Sequence, residues 1–457
     1  MYQENMFLQA AIRDLAELVK IPSVSARAQD LETCAAHVES LLKSEGFVTE
    51  ICAGEVGPFV VAETGNGPFT MVIYNHYDVQ PEEPVELWSS PPYQLTERNG
   101  RLYGRGAADD KGEFISRLAG WRKYRQNNND PLPYRLIWIV DGEEEIGSPS
   151  LTDFLQKRFP ALKADVCWWE FGEIDSEGHP VVLMGFKGVT AIELQCRTAR
   201  ADLHSSFGAL FDNALWRIAT AVSSMRDESG RVLIDGFYDS IPDVPEAVEQ
   251  LVATPPYTLF SLQSATGGQR LLDGTDENNF YRRLNLEPCL NINGISGGYS
   301  GEGAKTVLPA QASAKLDFRL VPEQQPLEIV TLVRKHLDKH GFGDIELIIH
   351  DAEVQAVRSS HEHWAVQQGL RLLKKHFGKT PIIQPSSPAS GLAHPFVKEM
   401  GVTLFGAGLT HHGAMLHSPD ENIIIDQLAK MIDFSAEFFE TVAHQCEAEQ
   451  SNREEAR

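Results

Sequence analysis

Cysteine is scarce in this chain and scattered. The six thiols, Cys34, Cys52, Cys167, Cys196, Cys289 and Cys446, include no CxxC pair. That spacing excludes a zinc ribbon and supplies no disulfide framework, so they read as reduced and partly buried. Long apolar runs are also missing. None reaches the length that spans a bilayer, and residues 1–20 show no basic start followed by an apolar stretch and a cleavage site. The expectation is a cytoplasmic protein with no membrane partner. Positive charge is in short supply: 40 Lys and Arg face 64 Asp and Glu, a net charge of −24. Such a balance repels nucleic acid and anionic membranes, while its carboxylates can attract cations.

What is present is the balance of a globular protein, 42% hydrophobic and 23% charged. At 457 residues the chain is too long for one ordinary core, which implies two domains or one domain with a large insertion. Helical spacing covers residues 6–20, up to Pro22, and about 30–45, up to Gly46. Apolar runs at 70–74, 135–140, 166–169 and 402–405 then alternate with helical patterns at about 111–126 and 149–158. Strands alternating with helices imply a largely parallel sheet covered on both faces. Between about 187 and 358 the texture changes: "VTAIELQC" and "ASAKLDFRLV" alternate apolar and polar, with helical patterns at about 211–225 and 327–340. Ala314, Leu316, Phe318 and Leu320 share one face of the second run and leave Lys315, Asp317 and Arg319 on the other. This segment reads as an inserted α+β domain. Helices at about 361–377 and 424–443 resume the first texture, and "SNREEAR" reads as a frayed tail.

Ligands of an open α/β sheet bind at the carboxyl ends of its strands. The residues just past each apolar run are His76 and Asp78 in "YNHYDVQP", the acids of "DGEEEIGS", Glu170 in "WWEFG", and His417 in "GAGLTHHGAMLHSPDE". The glycine-rich turn "GRGAADDKG" brings Asp109 and Asp110 to a helix start. These groups are predicted to meet at one edge. Carboxylates crowded together repel unless cations neutralise them. Imidazole and carboxylate donors without thiolate suit zinc, manganese or cobalt. Two histidines and three or more acids suffice for two metals sharing a carboxylate. One further acid, free of the metals, must handle protons, and the run Glu143, Glu144, Glu145 can provide a base and a ligand from neighbouring positions.

These stretches, in this order, resemble the family of dinuclear zinc metallopeptidases that includes carnosinases and other dipeptidases, aminoacylase, acetylornithine deacetylase and succinyl-diaminopimelate desuccinylase. The resemblance covers nearly the whole chain and is nearest the carnosinase-type branch through "GRGAADDKG", "KTVLP" and "FRLVP". It implies a zinc-exopeptidase-like α/β catalytic domain, residues 1–186 and 359–457, and an inserted lid and dimerisation domain, residues 187–358. It implies one metal on His76, Asp109 and Glu170 and another on Asp109, Glu145 and His417, with Asp78 orienting His76 and Glu144 as general base. His204 in "ADLHSSFG" would reach the partner subunit's active site in a homodimer, and Arg319 in "DFRLVP" would bind the substrate's terminal carboxylate. Glu170 stands where the carnosinase branch tends to carry aspartate and the deacylase branches glutamate. The implied reaction is hydrolysis of dipeptides or small peptides with a free carboxylate, using two divalent ions, zinc first. The alternatives are an N-acyl amino acid deacylase of the same family or a non-catalytic binding protein on the same fold.

Other features have plainer readings. Lys111 reads as a solvated lysine at a helix start. "GEGAKT" lacks the spacing of a phosphate loop. His361, His363, His411 and His412 read as surface or supporting residues, and Trp168 and Trp169 as core.

Overall fold

The computed structural model describes residues 5–352 and 354–455. The chain divides into two compact units. The first comprises the chain up to Met184, then Ser359–Gln384, then the chain from Pro395 onward; the second comprises Gly185–Arg358 and Pro385–His394.

In the first unit, the strand Thr70–His76 lies between Arg135–Asp141 and Val166–Trp169 and runs parallel to both, and Thr403–Gly406 continues the parallel order beyond Val166–Trp169. Every residue of Thr70–His76 is buried, as an internal parallel strand covered on both faces requires. Antiparallel strands flank this centre: Val48–Cys52 and Phe59–Thr64 on one side, Pro180–Leu183 on the other. The α/β class expected from the alternation is therefore found. Trp168 and Trp169 are fully buried, and Trp168 meets the rings of Phe434 and Phe438 edge-on from the helix Ile425–Glu455. The same helix crosses Lys111–Asn127 closely. A Cβ on Gly120 would stand 2.3 Å from Ser435 Cβ, so only glycine permits this approach.

Two expectations for this unit are corrected. Lys111 is buried, not solvated: its Nζ donates to the carbonyls of Leu18 and Ile21 at 3.1 and 2.7 Å, tying the start of its helix to the end of the helix Met6–Val19. The tail read as frayed is helical through Glu455, where Gln450 donates to the Pro133 carbonyl; Ala456 and Arg457 lie outside the described residues.

The second unit is built on an antiparallel sheet in the order Cys289–Gly297, Gln311–Leu320, Gly185–Arg197, Glu346–Asp351. Ala314, Leu316, Phe318 and Leu320 are buried against the helices Ala214–Ser223 and Pro326–Lys339. The first of these helices starts where Asn213 caps Leu215 N and Trp216 N. The segment Pro385–His394 clusters here because Ser387–Ser390 pairs with Phe186 and Lys187. Short helices at Glu246–Val252, Leu259–Thr266 and Phe280–Leu286 make a small core of their own that the hydrophobic pattern did not reveal.

Candidate metal centre

Parallel strands that end together present their last residues on one side. His76 closes Thr70–His76, Asp141 closes the neighbouring strand and leads into the acidic turn, and Glu170 follows Val166–Trp169. His76 Nδ1 donates to the Asp78 carbonyl at 3.0 Å, with the Asp78 carboxylate 3.3 Å away. That tautomer aims Nε2 at Asp109 Oδ1, 2.9 Å away. His417 Nε2 lies 3.0 Å from Asp109 Oδ2 and 3.2 Å from Glu145 Oε2. One carboxylate thus presents each of its oxygens to a different imidazole.

The other expected residues converge on the same place. The Asp78 carboxylate accepts the backbone N–H groups of Glu144 and Glu145 at 3.1 and 3.0 Å, so it holds the acidic turn as well as the imidazole. Gly147, at φ +87°, closes that turn. Gln80 donates from Nε2 to Glu145 Oε2 at 2.9 Å. Glu170 is 8% exposed, and its Oε2 has no hydrogen-bond partner among the described residues. The Glu144 carboxylate forms no hydrogen bond to the described residues, whereas its backbone N–H is held by Asp78. Asp110 lies beside them: its Oδ2 accepts from Asn75 Nδ2 and the His76 backbone at 2.6 and 3.0 Å.

The electrostatics are those of a crowded acid cluster. Burial, resisted by His76 and reinforced by Glu145 and Asp109, pushes the Glu144 carboxyl well above the usual range. Burial and the Glu144 charge raise Glu170 similarly. Hydrogen bonds to Asp109 and Glu145 raise His417 to about 10. Burial opposes the charge on Asp109, but His417 and His76 prevail and lower its pKa.

Ligand atoms of His76, Asp110 and Glu170 lie within 4.8 Å of one another, as do those of His76, Asp109 and Glu145. Imidazoles and carboxylates without a thiolate fit divalent zinc, manganese or cobalt. The orphaned oxygen of Glu170 is the kind of buried atom that such an ion would satisfy. His361, His363, His411 and His412 belong to neither group among the described residues; His411 instead pairs with Asn422 Oδ1 at 3.1 Å.

Three supporting residues went unread in the sequence. Glu421 is fully buried: it pairs with Arg105 at 2.8 Å and accepts from the backbone N–H groups of Gly106, Ala108 and Asp109. It therefore holds the loop that delivers Asp109. Its signal was available, four residues after His417 in "HSPDE". Arg117 is buried and donates to the carbonyls of Tyr74, Trp169 and Glu170, clamping two strand ends beneath the site. Gln80 sits in the quoted "HYDVQP".

The remaining two expected residues are on the second unit. His204 is exposed, with Nδ1 2.9 Å from Ser206 Oγ. Arg319 donates to Ser390 Oγ at 2.8 Å and lies 3.4 Å from Asp317.

Comparison with known proteins agrees with this chemistry. The sequence model described as Peptidase family M20/M25/M40 matches residues 72–441. The Cys-Gly metallodipeptidase dug1 of Schizosaccharomyces pombe is 29% identical over 389 residues, 82% of this chain and 80% of that protein. The Beta-Ala-His dipeptidase of Rattus norvegicus is 31% identical over 288 residues, 62% of this chain and 58% of that protein. Among solved structures, an M20 family metallo-carboxypeptidase from Sulfolobus solfataricus superposes with a TM-score of 0.84 at 34% identity, covering 95% of this chain and 98% of that one.

Proposed function

The chain belongs to peptidase family M20/M25/M40, and on that premise we propose that it is a dinuclear metallopeptidase cleaving dipeptides or small peptides that end in a free carboxylate. The first unit is the catalytic domain, and the second is the lid and dimerisation domain. His76, Asp109 and Glu170 hold one divalent ion, and Asp109, Glu145 and His417 the other. The observation that carries this reading is Asp109, whose two oxygens face the Nε2 atoms of two histidines. Zinc is the preferred ion, with manganese and cobalt as alternatives.

When bound, the ions polarise the scissile carbonyl and acidify water. Glu144, whose carboxylate forms no hydrogen bond to the described residues, takes the water's proton and passes it to the leaving amine. Asp78 keeps Nδ1 of His76 protonated and the acidic turn in place. The partner subunit's His204 steadies the oxyanion, and the Arg319 guanidinium fork holds the terminal carboxylate. A homodimer through the second unit is supported by its edge strand Cys289–Gly297, whose Ile292 and Ile295 are exposed, and by exposed Leu210, Phe211 and Trp216.

The test is to load the protein with zinc, manganese or cobalt and assay dipeptides beside N-acetyl amino acids. Cleavage of dipeptides that Glu144→Gln abolishes is the expected result. Cleavage of N-acetyl amino acids alone would favour the deacylase alternative, to which the glutamate at position 170 points. No cleavage by any loaded form, together with an inert Glu144→Gln, would leave only the binding-protein reading.

A further inference from the structure

The second unit contains a cavity of about 920 Å3 whose charge is opposite to that of the chain. Six cations, Lys187, Arg226, Arg231, Arg282, Arg283 and Arg319, line it against only two acids, Asp243 and Glu287, in a protein of net charge −24. Some of these cations are already engaged. Arg282 pairs with Glu249 and Glu287, and Arg231 lies over the Tyr238 ring at 4.6 Å. Lys187 and Arg226 differ. Among the described residues each hydrogen-bonds only to a main-chain carbonyl, Lys187 to Glu287 at 2.6 Å and Arg226 to Leu290 at 3.2 Å.

Lys187 is 4% exposed, and burial lowers its pKa. A buried ammonium with no carboxylate partner is costly unless an anion joins it. The strand register places this charge beside Arg319. Val189, two residues on from Lys187 and on the same side of the strand, is opposite Arg319. Lys187 itself pairs with Ser390, whose hydroxyl accepts from Arg319. Leu259, Leu262 and Leu286 also line the cavity and suit the methylenes of a side chain.

We propose that this cavity is the specificity site for the substrate's C-terminal residue and selects an acidic side chain, Lys187 and Arg226 receiving its carboxylate while Arg319 holds the terminal one. The inference rests on the peptidase reading for the nature of the substrate and for the role of Arg319. Glutamate or aspartate in that position makes charge-assisted hydrogen bonds to both cations, whereas glutamine or leucine leaves them on their carbonyls.

The experiment has two arms on the metal-loaded, full-length protein. In the first, kcat/KM is measured for Ala-Glu, Ala-Gln and Ala-Leu with wild type, Lys187→Met and Arg226→Gln. Wild type is expected to prefer Ala-Glu over Ala-Gln at least tenfold, mainly through KM, and each variant to lose that preference, kcat/KM for Ala-Glu falling at least tenfold more than that for Ala-Gln. In the second, calorimetry compares glutarate, which carries both carboxylates of glutamate and no amide to cleave, with butyrate, which carries one. Glutarate is expected to bind at least tenfold tighter to wild type and to lose that margin in Lys187→Met. Equal behaviour of glutarate and butyrate, including no binding of either, overturns the acidic specificity. So does a margin that survives both substitutions, which would place the second carboxylate elsewhere. Absence of all dipeptide cleavage with a retained glutarate margin overturns the peptidase reading instead.

Discussion

Glu421→Gln removes one negative charge from beneath the metal centre while nearly preserving shape. The Glu421 side chain is fully buried. Its Oε2 receives Arg105 Nη1 at 2.8 Å and Gly106 N at 3.0 Å, and its Oε1 receives Ala108 N at 2.8 Å and Asp109 N at 3.0 Å. A glutamine has one oxygen for these two pairs of donors, so its amide nitrogen must face one pair. Facing Arg105 leaves a buried guanidinium uncompensated, at a cost of about 3–5 kcal/mol. Facing Ala108 and Asp109 strands one buried and one partly buried N–H group at about 1–3 kcal/mol each. Either orientation costs roughly 2–6 kcal/mol, and the second also frees the backbone of Asp109. Calorimetry of the metal-free protein should show the first unit melting at least about 4 °C lower, taking about 2 °C per kcal/mol for a domain of this size. Titration of zinc should show weaker binding of both ions, since Asp109 is the proposed ligand of both. Arg105→Met added to Glu421→Gln should recover part of the lost stability, because replacing both partners of a buried pair removes the stranded charge. A Tm within about 2 °C of wild type, with unchanged zinc affinity, would refute the reasoning.

The other expectations follow from the same geometry. Glu144→Gln should lower kcat about 10²–10⁴-fold with metal content intact, as measured by steady-state kinetics and elemental analysis. His204→Ala should lower kcat about 10²–10³-fold without metal loss, and mixing it with a separately inactive Glu144→Gln protein should restore partial activity if the histidine acts across a dimer. In the metal-free protein, His417 is raised to about 10 from an unfolded value of about 6.5. The folded state therefore binds the extra proton, and this stabilisation is fully present below about pH 6.5 and is lost as pH rises through about 10. Thermal melts of metal-free protein should follow that slope, His417→Asn should flatten it, and zinc affinity should rise over the same window as the competing proton leaves. Gly120→Ala should cost about 1–3 kcal/mol by pushing the helices Lys111–Asn127 and Ile425–Glu455 apart, read as a lower denaturation midpoint.

The strand ends were legible because parallel strands buried on both faces leave continuous apolar runs, and the polar residue that breaks each run marks where the sheet meets solvent. His76, Glu170 and the acids after Asp141 were found in this way. Lys111 was misread because a lysine at a helix start is solvated in most contexts; only the approach of the helix Met6–Val19 supplies the carbonyls that bury it. The helices between Glu246 and Leu286 were missed because they pack a small local core, and seven or eight residues are too few to establish a helical period.

Residue identities alone determined the supply of donors and the class of fold, because side-chain chemistry and hydrophobic period are local properties of a chain. The different surroundings of Asp109 and Asp110 were decided by tertiary structure. Adjacent in sequence and identical in chemistry, they differ because the end of the strand Thr70–His76 engages one through Asn75 and the His76 backbone, while the other is left between two imidazoles. Which carboxylate is free to share its oxygens depends on who its neighbours are in space, and those neighbours come from segments as far apart as residues 76 and 417.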